Sequence, residues 1–145
     1  MNKMKTLYKA KATTTGGREG HVKSEDGVIN MKLSSPKTLG GKGGNFTNPE
    51  HLFAAGYSAS FAGALEEVAK EQKVDLGDFN VTATVRIGKT EEDDLEISVI
   101  LDAYLPGVDV ETAEELVNDA HETCPYSIAT TDNIDVTLNL MLDEE

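Results

Sequence analysis

Apolar and polar positions alternate with period two over the N-terminal third of the chain. Thr6 to Thr13 reads as a strand, and "GVINMKLS" reads as another, with Ile29, Met31 and Leu33 on one face. Between them, "TTTGGREGHVKSEDG" is rich in turn-formers and carries Arg18 near its tip. Ser34 to Thr47 is a polar, glycine-rich connection. The period then changes. "NPEHLFAAGYSASFAGALEEV" repeats its apolar residues at helical spacing, with Asn48 suited to the N-cap, Pro49 to the first helical position and Glu50 to the first turn. "DFNVTATVRIG" and "LEISVILDAYL" alternate again, joined by the acidic turn "KTEEDD", so they predict a hairpin. A second helix begins near Asp109, aligns Ala113, Leu116, Val117, Ala120 and Cys124 in one stripe, and ends at Pro125. "NIDVTLNLML" supplies a last strand. The pattern predicts an α+β fold, with mostly antiparallel sheets packed on two helices, in one domain over residues 1–145.

Composition narrows the partners more than the fold. Acidic residues outnumber basic ones 26 to 13, for a net charge of −13. Nucleic-acid binding leaves a basic footprint, and anionic membrane surfaces repel such a chain, so neither is expected as a partner. No tract is long enough to span a bilayer, and "MNKMKTLYKAKATTT" has no apolar export core. A single cysteine excludes an intrachain disulfide framework, and cytoplasmic residence is the expectation.

Two positions attract chemical interest. At 100° per residue, Phe53, Tyr57, Ser60 and Ala64 fall on one face of the first helix, so Ser60 stands at the centre of an apolar stripe. A plain reading has its hydroxyl bonded back to a carbonyl one turn earlier. Cys124, at the end of the second helix, reads equally plainly as a small apolar filler, and a helix C-terminus disfavours a thiolate. If the two helices bury these stripes against each other, Ser60 and Cys124 meet. The remaining signals are weaker. His21, His51 and His121 lack metal-ligand spacing, "LGGKGG" matches no phosphate-binding motif, and "GYSASFA" is not the G-x-S-x-G elbow of a serine hydrolase. No cofactor is expected.

"KTLYKAKATTTGGREGHVKSEDG", "LGGKGG" with "TNPEHLFAAGYSASFAGAL", "LPGVD" and "AHETCPYSIATTDNIDV" occur together in this order over nearly the whole chain. In this combination the chain resembles the organic hydroperoxide resistance subgroup (Ohr) of the OsmC-like family. The resemblance implies an interwoven homodimer that reduces organic hydroperoxides to alcohols. It implies a peroxidatic cysteine at the position of Ser60, a resolving cysteine at Cys124, an arginine at Arg18 and a carboxylate at Glu50. A lipoylated protein or dihydrolipoamide would reopen the disulfide. The residue types suit that chemistry, because a guanidinium favours a thiolate and a carboxylate can hold the guanidinium in place. Phe53, Tyr57 and Phe61 would receive the organic tail of the substrate.

The chain departs from that pattern at the attacking atom. A serine hydroxyl stays protonated near neutral pH and forms no sulfenic acid, so the expectation is an inactivated peroxidase. Both an engineered substitution and a natural, non-redox module that holds a small apolar ligand stay open. Ile128 and Thr131 also depart from the family's usual residues after "CPYS". Glu50 and Ser60 are ten residues apart, about 15 Å along an unbroken helix. A site using both therefore needs either a break at Gly56 or a second chain. The second chain is the expectation, with Ser60 and Cys124 from one subunit and Arg18 and Glu50 from the other.

Overall fold

The structure, a computed structural model, describes residues 4–142. The chain parts at Pro49 and Glu50 into two compact units. In the first, strands β1 (Ala12–Thr15), β2 (His21–Ser24) and β3 (Asn30–Lys32) form an antiparallel meander in that order. The expected first strand lies further along than Thr6 to Thr13. Strand geometry needs a hydrogen-bonding neighbour, and the chain gains one from Lys11, whose carbonyl accepts the Glu25 N–H, through the β1–β2 register of Ala12↔Ser24 to Thr15↔His21. β2 itself falls inside the stretch read as turn. "GVINMKLS" contributes only three strand residues, and Leu33 instead bridges to Thr47.

The β1–β2 connection holds a single 3-10 turn, Gly17–Glu19, which carries Arg18. Its tightness explains the glycines. Gly16 and Gly17 have φ of 86° and 69°, and a Cβ on Gly20 would lie 1.8 Å from the Thr15 carbonyl oxygen. The Glu19 carboxylate accepts the Ser35 N–H at 3.0 Å, which ties this turn to the glycine-rich loop. At the β2–β3 turn, Asp26 accepts from the Ser24 hydroxyl at 2.6 Å and the Val28 N–H at 3.0 Å.

The second unit begins with helix α1 (Pro49–Glu71), which opens on its proline as the pattern predicts and runs 23 residues without interruption. It closes through paired bonds, Val74 N–H to the Ala69 carbonyl and Lys73 N–H to the Lys70 carbonyl, with Lys73 at φ 58°. β4 (Asn80–Lys89) and β5 (Leu95–Tyr104) form the expected hairpin, ten residues a side. Helix α2 (Val110–Thr123) is capped by the Asp109 carboxylate, which accepts the Thr112 N–H at 3.1 Å.

Two features depart from expectation here. Pro125 ends α2 but also starts a third, short helix, α3 (Pro125–Thr130). β6 (Val136–Met141) lies on the far side of β5 and runs parallel to it, from Val99↔Val136 to Tyr104↔Met141. Parallel neighbours need a long crossover, and α2 with α3 provides it. β5, as the central strand, buries Val99, Leu101 and Ala103 completely against Tyr57, Phe61 and Leu65 of α1 and Leu116 and Ala120 of α2. Val81, Ala83 and Val85 on β4, and Val136, Leu138 and Leu140 on β6, are only half-buried.

Candidate active site

The two stripes do face each other. Ser60 Oγ lies 3.4 Å from Cys124 Sγ, within hydrogen-bonding range for a hydroxyl and a thiol. Ser60 is half-buried and Cys124 is completely buried. The back-bond foreseen for Ser60 occurs at Ser58, whose hydroxyl donates to the Ala55 carbonyl at 3.1 Å. Cys124 occupies the joint between α2 and α3. Its N–H closes the last turn of α2 on the Ala120 carbonyl at 2.8 Å, and its own carbonyl accepts the Ile128 N–H at 3.0 Å. It therefore stands between a helix C-terminus and a helix N-terminus, whose dipole ends have opposite sign, rather than at a C-terminus alone.

The aromatic candidates separate by depth. Tyr57 and Phe61 are fully buried in the core, whereas Phe53 is half-buried at its edge. Tyr126, outside the aromatic set expected from the sequence, completes the group. Its ring stacks on Phe53 at a centroid distance of 6.3 Å and tilts over Tyr57 at 5.7 Å. The hydroxyl of Tyr126 rests over Gly56, where a Cβ would come within 3.2 Å of it. Tyr126 remains 40% exposed, so it forms a solvent-facing edge one turn from Ser60.

Below this edge lies a closed set of hydroxyls. Thr130 Oγ1 donates to the Ser127 carbonyl at 3.1 Å, so it accepts from Tyr57 at 3.1 Å, and Tyr57 in turn accepts from Ser127 Oγ at 2.8 Å. Ser127 is completely buried and Thr130 nearly so. Pro125 was the available signal for these residues: a proline at the first position of a helix puts residues 124, 127 and 130 at three-residue spacing. Of the two departures after "CPYS", Ile128 is 61% exposed, and the Thr131 hydroxyl bonds the Ser127 carbonyl at 2.6 Å.

Glu50 sits in the first turn of α1, and Arg18 on the 3-10 turn of the N-terminal unit. Because α1 is unbroken at Gly56, Glu50 is held about 15 Å along the axis from Ser60 of the same chain. Among the described residues, no group of three or more His, Cys, Asp or Glu side chains is placed to hold a metal ion. Likewise, no helix is long and apolar enough to cross a membrane.

Comparison with known proteins places this geometry. The family model for OsmC-like proteins matches residues 41–139. The chain is 50% identical over 137 residues to the organic hydroperoxide resistance protein of Xanthomonas axonopodis pv. citri, covering 94% of this chain and 96% of that one. It is 48% identical over 135 residues to the organic hydroperoxide resistance protein OhrB of Bacillus subtilis, covering 92% and 98%. Among solved structures, an organic hydroperoxide resistance protein from Elizabethkingia anophelis superposes with a TM-score of 0.90 at 49% identity, over 97% of this chain and all of that one. Fold, length and sequence agree, and the chain belongs to the OsmC-like family, in its organic hydroperoxide resistance subgroup.

Proposed function

We propose that this chain has the framework of a thiol peroxidase for organic hydroperoxides, and that Ser60 holds it in a form that does not turn over. The observation that carries this reading is the 3.4 Å approach of Ser60 Oγ to Cys124 Sγ. Two sulfurs at these positions need to close only to about 2.05 Å to bond. With a cysteine at position 60, its thiolate attacks the terminal peroxide oxygen. An S–O bond forms, the O–O bond breaks, and the alkoxide leaves as the alcohol after taking a proton. Cys124 then attacks the sulfenic sulfur and releases water, and a lipoyl-linked dithiol reduces the disulfide. Serine performs none of these steps.

Phe53 supplies the apolar surface for the organic tail, with Tyr126 at the edge and the fully buried Tyr57 and Phe61 backing it from the core. Arg18 and Glu50 act on position 60 of a second copy, which favours a homodimer with two equivalent sites. The unbroken α1 supports the sharing of Glu50. The dimer is supported by apolar surface that one chain leaves open. Leu7 is 91% and Tyr8 81% exposed, and the apolar residues of β4 and β6 are half-covered. We place the protein in the cytoplasm, where a lipoylated partner or dihydrolipoamide is at hand.

Cumene hydroperoxide consumption with dihydrolipoamide tests the reading. The chain as it stands should consume a negligible amount, and Ser60→Cys should turn over. A folded but inert Ser60→Cys protein would instead favour a non-redox module for small apolar ligands, the reading that Ser60 itself suggests. Sedimentation at micromolar concentration tests the assembly, and a monomer there refutes the shared site.

A further inference from the structure

The joint at Cys124 raises the question of what holds its far side. α2 is anchored by Ala113, Leu116, Val117 and Ala120, all in the core. α3 is different. It has six residues, far too few for a helix to persist on its own propensity, and its only buried residues are Ser127 and Thr130. Both are polar, so apart from the half-exposed Tyr126 ring on Phe53 and Tyr57, α3 is fastened to α1 by hydroxyls rather than by apolar burial. Their hydroxyls and that of Tyr57 form a relay, from Ser127 Oγ to Tyr57, from Tyr57 to Thr130 and from Thr130 to the Ser127 backbone carbonyl, in which each donor is used once. Tyr57 and Ser60 are one turn apart on α1, and Cys124 and Ser127 are three residues apart across the start of α3. The hydroxyl relay and the Ser60–Cys124 contact are thus adjacent rungs between the same two segments.

We propose that Ser127 and Thr130 are positioning residues: by bonding Tyr57 they fix α3 against α1 and so hold Cys124 at bonding distance from position 60. This rests on the peroxidase reading above for its chemical consequence, which falls on the second step. Attack on the peroxide involves position 60 alone. Closure requires the Cys124 sulfur to reach the sulfenic sulfur, forming S–S as S–O breaks and water leaves. A loosened α3 delays closure and leaves the sulfenic acid exposed to a second molecule of hydroperoxide, which oxidises it to sulfinate and departs as alcohol.

The test compares Thr130→Val, Ser127→Ala and the hydroxyl-retaining Thr130→Ser in the Ser60→Cys background. Peroxide consumed in the first turnover is read separately from disulfide closure, which is followed by quenching with an alkylating reagent and weighing the protein. Loss of one buried hydrogen bond is expected to slow closure about tenfold and lower the cumene hydroperoxide concentration giving half sulfinate by a similar factor. First attack should stay within about twofold of the parent, and Thr130→Ser should match the parent in both readouts. Ser127→Ala, the smaller change, serves if Thr130→Val melts below the assay temperature. Unchanged closure in a folded variant overturns the proposal while leaving the peroxidase reading intact. Should the parent Ser60→Cys protein fail to attack at all, the peroxidase reading falls, and alkylation of Cys124 by N-ethylmaleimide in the Ser60 chain decides the positioning. A rise of about tenfold with Thr130→Val supports it, and an unchanged rate overturns it.

Discussion

Replacing Ser60 with cysteine and oxidising the protein with one equivalent of cumene hydroperoxide should change its stability by an amount set by the fold. The new bond would link positions 64 residues apart, across a contact of 3.4 Å. In the chain-entropy description, closing a loop of that length removes about 14 cal/mol/K from the unfolded chain, or about 4 kcal/mol at 25 °C. The short starting distance means little of this is returned as distortion of the native state. For a chain of this size, about 4 kcal/mol corresponds to a rise in melting midpoint on the order of 10 °C. Urea unfolding of the oxidised and the dithiol-reduced protein, with mass spectrometry to confirm loss of two hydrogens, measures the difference. The oxidised form should have the higher midpoint, and the Ser60 chain treated identically should not shift. A protein that forms the bond but gains no stability would show that positions 60 and 124 must leave their native placement to join. The native contact between Ser60 and Cys124 would then not be the geometry in which the bond forms.

Two other outcomes follow from the helix ends. Lys73 adopts the left-handed conformation at the close of α1, so Lys73→Gly should stabilise the protein by about 0.5–1 kcal/mol in urea unfolding. Hydrogen bonds from the Thr112 N–H and side chain hold the Asp109 carboxyl below its ordinary range. Because the folded form binds its proton less readily than the unfolded form, this contribution is present above the ordinary carboxylate pKa and fades as pH falls through the lowered one. The stability advantage of the parent over Asp109→Ala should therefore be full at pH 6 and shrink toward pH 3, and an advantage constant with pH would refute the capping role.

Much of this architecture is legible in the residues because local and tertiary preferences coincide. Pro49 both permits and marks the start of α1, Asp109 caps α2, and the hairpin β4–β5 alternates without a break. β2 is hidden because Val22 is its only buried apolar residue, so His21 to Ser24 has no alternation to display. The direction of β6 is hidden for another reason, since alternation is the same read either way along a strand. At the site, the meeting of Ser60 with Cys124 follows from two apolar stripes that each need a partner. The Tyr57–Ser127–Thr130 relay does not follow from hydropathy, because three hydroxyls bury themselves only once they find one another. Pro125 reads as a stop, although the same fixed φ also favours the start of the next helix.

The parallel placement of β6 has a bearing on how the C-terminal unit assembles. β4 and β5 can zip together locally from the Thr90–Asp94 turn, but Val136 must find Val99 across 37 residues of chain. The segment in between contains Cys124 and α3, so the second edge of β5 is sealed only at the loop-closure cost of that whole stretch. Until then that edge presents open backbone groups on a strand with an apolar face, which is the form in which such a chain is most exposed to mispairing with its neighbours.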